Sequence, residues 1–249
     1  MRLTIASDTR LLVLTGAGVS AESGVPTFRD ANGLWENHPI EQVATPEGFR
    51  ADPGLVWRFY SERRLKAGTV HPNPGHHALV EVEKRMGDRF LLVTQNVDGL
   101  HRRAGSERLV EMHGSLFETR CFHCEREPFA DDSRHGPGDV PACELCAAKG
   151  RRGLLRPAIV WFGEMLDPFV MQRIARFIED ARRAAGPFAF LAVGTSGLVY
   201  PAAGLVMEAR AAGAETWLAN LEAPENRGAF QRFVEGPSGK VLPELFEFV

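Results

Sequence analysis

The chain has 249 residues and a formal net charge of −3 at pH 7, from 29 basic and 32 acidic side chains. This balance excludes a strongly basic surface, so we expect no nucleic-acid partner. The first apolar run, residues 11–14, is too short for a signal peptide or a membrane span. We therefore expect a cytoplasmic protein without a membrane partner, long enough for one large domain with a smaller insertion.

Four apolar runs predict buried strands. They are residues 10–16, 89–96, 188–196 and 215–222, and each run ends in small or polar residues. Residues 167–186 predict an amphipathic helix between two of them. Strands that alternate with helices are typical of an α/β fold, so we predict a doubly wound, Rossmann-like parallel sheet.

The predicted helix in residues 167–186 has recognisable ends. Asp167 is a suitable N-cap, Pro168 fits the first turn, and Gly186 follows the last turn. One face of this helix carries the apolar residues Val170, Ile174, Phe177, Ile178 and Ala181.

Two segments interrupt the alternation of strands and helices. Residues 36–71 hold a helical stretch after Asp52 and Pro53 and no candidate strand, and residues 118–150 hold all four cysteines. We predict that the two segments form a small domain beside a discontinuous Rossmann-like domain, with a cleft between them. The larger domain would comprise residues 1–35, 72–117 and 151–249.

The four cysteines form two C-x-x-C pairs, Cys121 with Cys124 and Cys143 with Cys146, separated by eighteen residues. This spacing is typical of a site in which four thiolates bind zinc tetrahedrally. Two disulfides or a redox-active C-x-x-C are the alternatives, and a reducing cytoplasm argues against stable disulfides. Four thiolate ligands leave no open coordination position, so we expect one structural Zn²⁺.

Gly16, Gly18 and Ala21 follow the first predicted strand in a G-x-G-x-x-A pattern. Small residues at a strand-to-helix turn let backbone N–H groups approach a pyrophosphate, which indicates a dinucleotide site. A tight turn without a nucleotide is the alternative, because the pattern is degenerate. The usual acidic partner of the ribose is unclear, since Glu36 and Glu41 end no predicted strand.

Polar residues also follow the later strands. Asn220 and Glu222 are better placed to take a ribose hydroxyl, and residues 193–196, VGTS, end another strand where ligands gather in such sheets.

A third polar cluster, Gln95, Asn96 and Asp98, ends the second predicted strand in the stretch TQNVDGLH. An α/β enzyme keeps its chemistry at such strand ends. His113 follows in the stretch EMHG, but it is one of eight histidines, and its residue type alone favours a structural or surface role.

The stretches GAGVSAESGVPTFRD, TQNVDGLH, HG, IVWFGE, GTSGLVYPAA and NLE, with the paired C-x-x-C, resemble the sirtuin family in content and order. The resemblance extends from Gly16 to about Glu244. Sirtuins are NAD-dependent protein-lysine deacylases with a Rossmann-like NAD-binding domain and a small zinc-bearing domain. The resemblance implies that this chain consumes NAD and takes acyl-lysine proteins or peptides as substrates.

The resemblance also assigns catalytic roles. His113 matches the general base that takes a proton from a ribose hydroxyl, and a neutral imidazole with a pKa near the operating pH suits that role. Asn96 would hold the ribose and an ordered water, and Asp98 would hydrogen-bond the nicotinamide carboxamide. The products would be free lysine, nicotinamide and an O-acyl-ADP-ribose.

A larger set of residues would bind NAD by the same resemblance. Phe28 and Arg29 would lie on a flexible cofactor-binding loop, where Phe28 could shield the reactive intermediate. The whole set is Gly16, Ala17, Gly18, Ala21, Thr27, Phe28, Arg29, Trp35, Gln95, Asn96, Val97, Asp98, Gly194, Thr195, Ser196, Asn220, Leu221, Glu222 and Ser238.

The substrate peptide would lie in the cleft and pair as a strand with residues 159–163 and 194–200. Val160 and Phe162, with the adjoining Gly163, would bind the lysine stem. From burial statistics alone, Val160 and Phe162 could equally be ordinary core residues of an apolar strand.

Tyr60 and Arg63 are three residues apart in WRFYSERR and share a helix face. Alone, the arginine would be a solvated side chain. The pair matches the sirtuin subgroup that removes acidic acyl groups, in which the arginine pairs with the carboxylate of succinyl- or malonyl-lysine. Ala44 matches the small residue of that subgroup's wide acyl pocket. We therefore expect both deacetylation and desuccinylation.

Other functions stay open at this point. Transfer of ADP-ribose to protein shares the cleavage of NAD, and an NAD-sensing or zinc-ribbon module would be non-catalytic. Asn96, Asp98 and His113 argue against a pure binder, which needs no base. A dehydrogenase would share only the glycine turn.

Overall fold

The computed structural model describes residues 1–26, 34–35, 38–136, 138–196, 200–223 and 227–249, and for residues 34, 35 and 227 the backbone alone. The strands are β1 (Leu3–Ile5), β2 (Arg10–Thr15), β3 (Leu34–Trp35), β4 (His38–Pro39), β5 (Phe90–Thr94), β6 (Leu109–Glu111), β7 (Gly114–Cys121), β8 (Phe129–Ala130), β9 (Leu155–Ile159), β10 (Phe188–Val193), β11 (Glu215–Asn220), β12 (Arg232–Glu235) and β13 (Phe246–Phe248). The α-helices are α1 (Ile40–Val43), α2 (Pro46–Ala51), α3 (Pro53–Thr69), α4 (Pro74–Met86), α5 (Leu100–Ala104), α6 (Glu144–Ala147), α7 (Pro168–Arg183), α8 (Leu205–Ala211) and α9 (Ser238–Leu245). Short 3₁₀ segments span Ala17–Ser23, Gly87–Arg89, Ala202–Gly204 and Arg227–Ala229.

A parallel sheet in the order β12-β11-β10-β2-β5-β6 forms the centre of the larger domain. In its middle, Val13 of β2 lies beside Leu191 of β10 and Leu92 of β5. The four inner strands are those predicted from apolar runs, so the α/β prediction is confirmed. The edge strands β6 and β12 were missed, because β6 has three residues and β12 is only partly buried.

Helices cover both faces of this sheet. Along β2, Leu12 and Leu14 pack with α7 and α8 on one face. Leu11 and Val13 pack with α4 and α9 on the other face. Because successive side chains of a strand point to opposite faces, a strand covered on both faces is apolar throughout.

Helix α7 confirms the predicted helix. Its N-cap is Asp167, whose Oδ1 accepts a hydrogen bond from Phe169 N at 2.8 Å. It ends before Gly186, and its buried residues are Ile174, Phe177, Ile178 and Ala181.

A third apolar cluster is the core of the small domain, between helices α1–α3 and the antiparallel sheet β8-β7-β9. Phe49, Trp57 and Tyr60 are fully buried in it, and three of the four cysteines belong to it as buried residues. The sheet extends past residues 118–150, because β7 begins at Gly114 and β9 lies beyond that segment. Strand β4 lies within residues 36–71, where we predicted no strand, and it pairs with β3. It was not predicted because a strand of two residues is too short to show a periodic pattern.

Strands β1 and β13 pair in parallel at a separate small sheet, with Leu3 beside Phe246. Across the described ranges, no helix combines the length and the apolar character needed to cross a bilayer.

Candidate active site

A cavity of about 1110 Å³ lies between the carboxyl ends of the central strands and the small domain. Parallel sheets of this kind bind ligands at that edge. Its wall brings together residues after β2, β5, β10 and β11 with residues of α3 and of the loop after β9. The predicted site residues in this wall are Gly16, Ala17, Gly18, Ala21, Ala44, Tyr60, Arg63, Gln95, Asn96, Val97, Asp98, His113, Val160, Phe162, Gly163, Gly194, Thr195, Ser196, Asn220, Leu221 and Glu222.

The structure does not bring Ser238 to this wall. Ser238 begins α9, and its Oγ donates to Val19 O at 3.3 Å and to Glu22 Oε2 at 3.2 Å. It lies elsewhere because α9 packs against α4, on one covered face of the sheet. Of the other predicted NAD-binding residues, Thr27, Phe28, Arg29 and the side chain of Trp35 lie outside the described residues.

The loops after β2 and β10 cross in direct contact at three glycines. Gly16 N donates to Val193 O at 2.9 Å, and Gly18 N donates to Gly194 O at 2.8 Å. A Cβ atom on Gly18 would lie 2.6 Å from Gly194 Cα, and Gly194 has a φ of +59°. Glycine is therefore required at this crossing. Since these residues line the cavity, a pyrophosphate could approach their backbone, as the G-x-G pattern predicts.

Side-chain hydrogen bonds join three of the strand ends. Asn220 Nδ2 donates to Thr195 O at 3.3 Å, and Gln95 Nε2 donates to Thr195 Oγ1 at 3.1 Å. The ends of β5, β10 and β11 are thus held together under the cavity.

Asn96 and Asp98 are held in defined orientations. Asn96 Nδ2 donates to Gly16 O at 3.1 Å and to Ser20 Oγ at 3.2 Å, so its amide oxygen can accept a hydrogen bond from a ligand hydroxyl. Asp98 is 5% exposed, and its Oδ1 accepts from Leu100 N at 2.9 Å. Burial raises the pKa of Asp98, and the bond from Leu100 N opposes that rise. Ser20, a buried residue behind the cavity wall that holds Asn96, was not selected from the sequence, although it stands within GAGVSAES.

His113 lies in the connection between β6 and β7, at the cavity wall. Its Nδ1 is 3.0 Å from Gln95 O. Because a carbonyl oxygen can only accept, we assign the proton to Nδ1 and the lone pair of the neutral ring to Nε2. Burial lowers the pKa of His113 below its usual value of 6.5, and the bond to Gln95 O partly opposes that change. His113 is therefore a neutral imidazole at pH 7 that can accept a proton.

The loop after β9 forms the next part of the wall. Val160 N donates to His113 O at 2.9 Å, and Phe162 N donates to Ala44 O at 3.0 Å. Phe162 is 47% exposed, so it is not a core residue, and Val160 is half-buried. The strand itself ends at Ile159, and residues 160–163 continue along the cavity. Residues 197–199 of the second predicted peptide edge lie outside the described residues.

Tyr60 and Arg63 share one face of α3 and line the same cavity. Tyr60 is fully buried, and its hydroxyl accepts from Trp161 Nε1 at 3.0 Å. Burial raises the pKa of Tyr60 to about 12. Arg63 is half-buried, with its guanidinium 5.5 Å from the centroid of the Phe59 ring. Ala44, 2% exposed, provides a small side chain nearby in the wall.

The four cysteines form one cluster in the small domain. The Sγ atoms of Cys121, Cys124, Cys143 and Cys146 lie within 4.8 Å of one another. The pairs Cys121–Cys146 and Cys124–Cys143 are 3.7 and 3.8 Å apart, too far for disulfides. Tetrahedral zinc with Zn–S bonds of about 2.3 Å needs separations of about 3.8 Å, so the cluster fits the predicted Zn²⁺.

Backbone N–H groups also support the thiolates. His123 N and Cys124 N donate to Cys121 Sγ at 3.3 and 3.4 Å. With four protein ligands, the metal site has a structural role.

The fold and the site define an α/β protein with a nucleotide-sized cavity, a neutral histidine at the cavity wall and a four-cysteine metal site. The model of the Sir2 family matches residues 16–201, most of the chain. The chain belongs to the Sir2 family, the sirtuins.

Individual relatives agree with this assignment. An NAD-dependent protein deacylase from Pasteurella multocida (strain Pm70) is 45% identical over 241 residues, which are 96% of this chain and 97% of the relative. The crystal structure of a Sir2 homolog–NAD complex is 38% identical, with a TM-score of 0.81 over 94% of this chain and 87% of that one. A Sir2 protein bound to acetylated peptide is 26% identical, with a TM-score of 0.75 over 94% of this chain and 90% of that one.

Proposed function

We propose that the chain is an NAD-dependent protein-lysine deacylase that removes succinyl and malonyl groups as well as acetyl groups. The observation that carries this proposal is the neutral His113 imidazole in a cavity that also contains Asn96, Asp98 and Arg63. Membership of the Sir2 family and the name of the P. multocida relative support the NAD-dependent deacylase activity.

The cavity has suitable groups for each part of NAD. The glycine crossing would bind the pyrophosphate, Asn220 and Glu222 a ribose hydroxyl, and Asp98 the carboxamide. Bound NAD supplies an electrophilic anomeric carbon with nicotinamide as its leaving group. The chain contributes by positioning the acyl oxygen of the substrate lysine against that carbon and by stabilising developing charge.

His113 would then act as the general base. Its Nε2 would take a proton from a ribose hydroxyl, and the resulting oxygen would attack the acyl carbon. The protonated His113 could return that proton to the departing lysine amine, and one water would then add to the acyl carbon, so that the acyl group stays on the ribose as O-acyl-ADP-ribose and the lysine is released as a free amine. The amide oxygen of Asn96 would hold the ribose in the orientation that this transfer needs.

Selectivity for acidic acyl groups would come from α3. The Arg63 guanidinium can bind a carboxylate bidentately, and the Tyr60 hydroxyl stays protonated at physiological pH because its pKa is about 12. Ala44 leaves room for a longer acyl chain than acetyl. An acetyl group would gain no bond from Arg63 and would still fit.

We further propose acyl-lysine proteins as the macromolecular partners and a cytoplasmic location, with no nucleic-acid or membrane partner. The Sir2 protein bound to acetylated peptide supports the first point. Four unbridged thiols in a metal-site geometry suit a reducing compartment, and a net charge of −3 offers no polyanion surface.

The deciding experiment offers NAD and one peptide bearing acetyl-, succinyl- or malonyl-lysine, and follows nicotinamide and O-acyl-ADP-ribose by mass spectrometry. We expect both products with all three peptides. His113→Ala should abolish turnover and leave NAD binding largely intact, and loss of both would show that His113 is structural. If nicotinamide is released and ADP-ribose becomes attached to protein, the activity is ADP-ribosyl transfer and not deacylation.

A further inference from the structure

An ion pair between the buried Arg156 and the partly exposed Glu164 closes the turn that follows β9. Arg156 is 2% exposed, and its Nη1 and Nη2 donate to Glu164 Oε1 and Oε2 at 2.6 and 2.9 Å. Glu164 Oε2 also accepts from Trp161 N at 2.9 Å, and Glu164 N donates to Trp161 O at 3.0 Å. A bidentate arginine–carboxylate pair of this kind is geometrically specific, so the turn has one arrangement.

The indole of Trp161 is held within that turn. The Arg156 guanidinium carbon lies 3.6 Å from the centroid of its ring, and the Phe49 ring centroid is 5.4 Å away. Trp161 is 2% exposed. Cation–π stacking and tight packing therefore fix the direction of the indole N–H.

That N–H donates a hydrogen bond to the Tyr60 hydroxyl within the cavity wall. Trp161 Nε1 lies 3.0 Å from Tyr60 Oη, and both residues line the cavity with Arg63. An indole N–H can only donate, so the Tyr60 oxygen is the acceptor and the phenolic hydrogen must point elsewhere. Arg63 follows Tyr60 by one helical turn on the same face.

We propose that Trp161 is a positioning residue for acidic acyl groups: its indole N–H orients the Tyr60 hydroxyl so that the O–H donates to the carboxylate that Arg63 binds. The ligand class is a dicarboxylic acyl group on lysine, and this inference rests on the proposed acidic-deacylase function. The Arg156–Glu164 ion pair contributes indirectly, because it holds the Trp161 indole in the position from which its N–H reaches Tyr60. Discrimination between acyl groups would then depend on a residue that need not touch the acyl chain.

The test compares Trp161→Phe with Trp57→Phe. Trp57 is also fully buried and its Nε1 donates to Leu155 O at 2.9 Å, but it is not part of the cavity wall. For Trp161→Phe we expect KM for the succinyl peptide to rise about tenfold, which corresponds to about 1.4 kcal/mol, with a smaller change for the acetyl peptide. Trp57→Phe should leave the succinyl-to-acetyl ratio of kcat/KM unchanged.

Tyr60→Phe tests the same contact from its other side, and does so even if Trp161→Phe does not fold. Tyr60→Phe should lower the succinyl-to-acetyl ratio of kcat/KM. The double variant Tyr60→Phe/Trp161→Phe should have the same ratio as Tyr60→Phe alone, because the indole then has no phenolic hydroxyl to orient. Equal losses for both peptides in Trp161→Phe, or an unchanged ratio in Tyr60→Phe, would overturn the positioning role. Absence of desuccinylation in the unmodified protein would refute the proposed function itself.

Discussion

Arg63→Met is the sharpest test of the acidic-acyl specificity. Methionine has a similar helix propensity and keeps an unbranched apolar stem, so the substitution removes the charge with little effect on α3. Arg63 is half-buried at the cavity wall and stacks near the Phe59 ring, a contact that the methionine side chain can retain. Arg63→Met should therefore weaken binding of the acyl carboxylate without destabilising the fold.

The size of the loss follows from the bond that is removed. A hydrogen bond to a charged group contributes about 1.5–3 kcal/mol, equal to roughly 10- to 150-fold in kcat/KM. Because Arg63 is partly exposed, water screens its charge, and we expect the lower part of that range, about tenfold to thirtyfold, for succinyl-lysine. Deacetylation should change by less than about threefold, since an acetyl methyl has no carboxylate to bind.

The assay measures kcat/KM for matched acetyl and succinyl peptides at saturating NAD. Arg58→Met is the control, because Arg58 lies half-buried on the same helix and outside the cavity wall. Equal losses with both peptides in Arg63→Met, or a loss of the same size in Arg58→Met, would refute the carboxylate clamp.

Two further predictions concern the base and the metal. Burial lowers the pKa of His113, so kcat/KM should rise with pH along an acid limb whose midpoint lies below 6.5 and then stay level; a midpoint above 6.5 would contradict the assignment of His113 as the base. Chelation should release about one zinc per chain and abolish the near-ultraviolet circular dichroism of the small-domain tryptophans before or together with activity. Activity that persists after zinc release would argue against a structural metal.

The central strands could be predicted from the sequence for a specific physical reason. β2, β5, β10 and β11 are buried on both faces, so each is a continuous apolar run that local inspection finds. The edge strand β12 has charged ends and partial burial, which removes that signal. Helix α7 was recognisable because one face alone meets the sheet and its N-cap, Asp167, is a standard one.

Helix α3 shows where the pattern fails. Other parts of the apolar cluster pack around several faces of α3, so its buried residues include Arg64 as well as aromatic side chains. The Arg64 guanidinium is satisfied by Leu116 O at 2.6 Å, Ser133 O at 2.7 Å and Thr119 Oγ1 at 2.9 Å. The start of this helix, after Asp52 and Pro53, could be predicted from those two residues. A helix that buries a charge through such long-range bonds has no clean apolar stripe, which is why the sequence did not indicate where the helix ends.

Most residues that line the cavity could be chosen from the sequence, but the contacts between them could not. Tyr60 and Trp161 are separated by 101 positions, and no local spacing shows that an indole N–H meets a phenol oxygen. That contact exists because β9 and α3 pack in the apolar cluster that also contains Cys121, Cys143 and Cys146. The metal site and the proposed acyl-selecting residues therefore depend on one core, so loosening the cysteine cluster should impair acidic-acyl selectivity before it impairs the glycine crossing, which lies at the end of the central sheet.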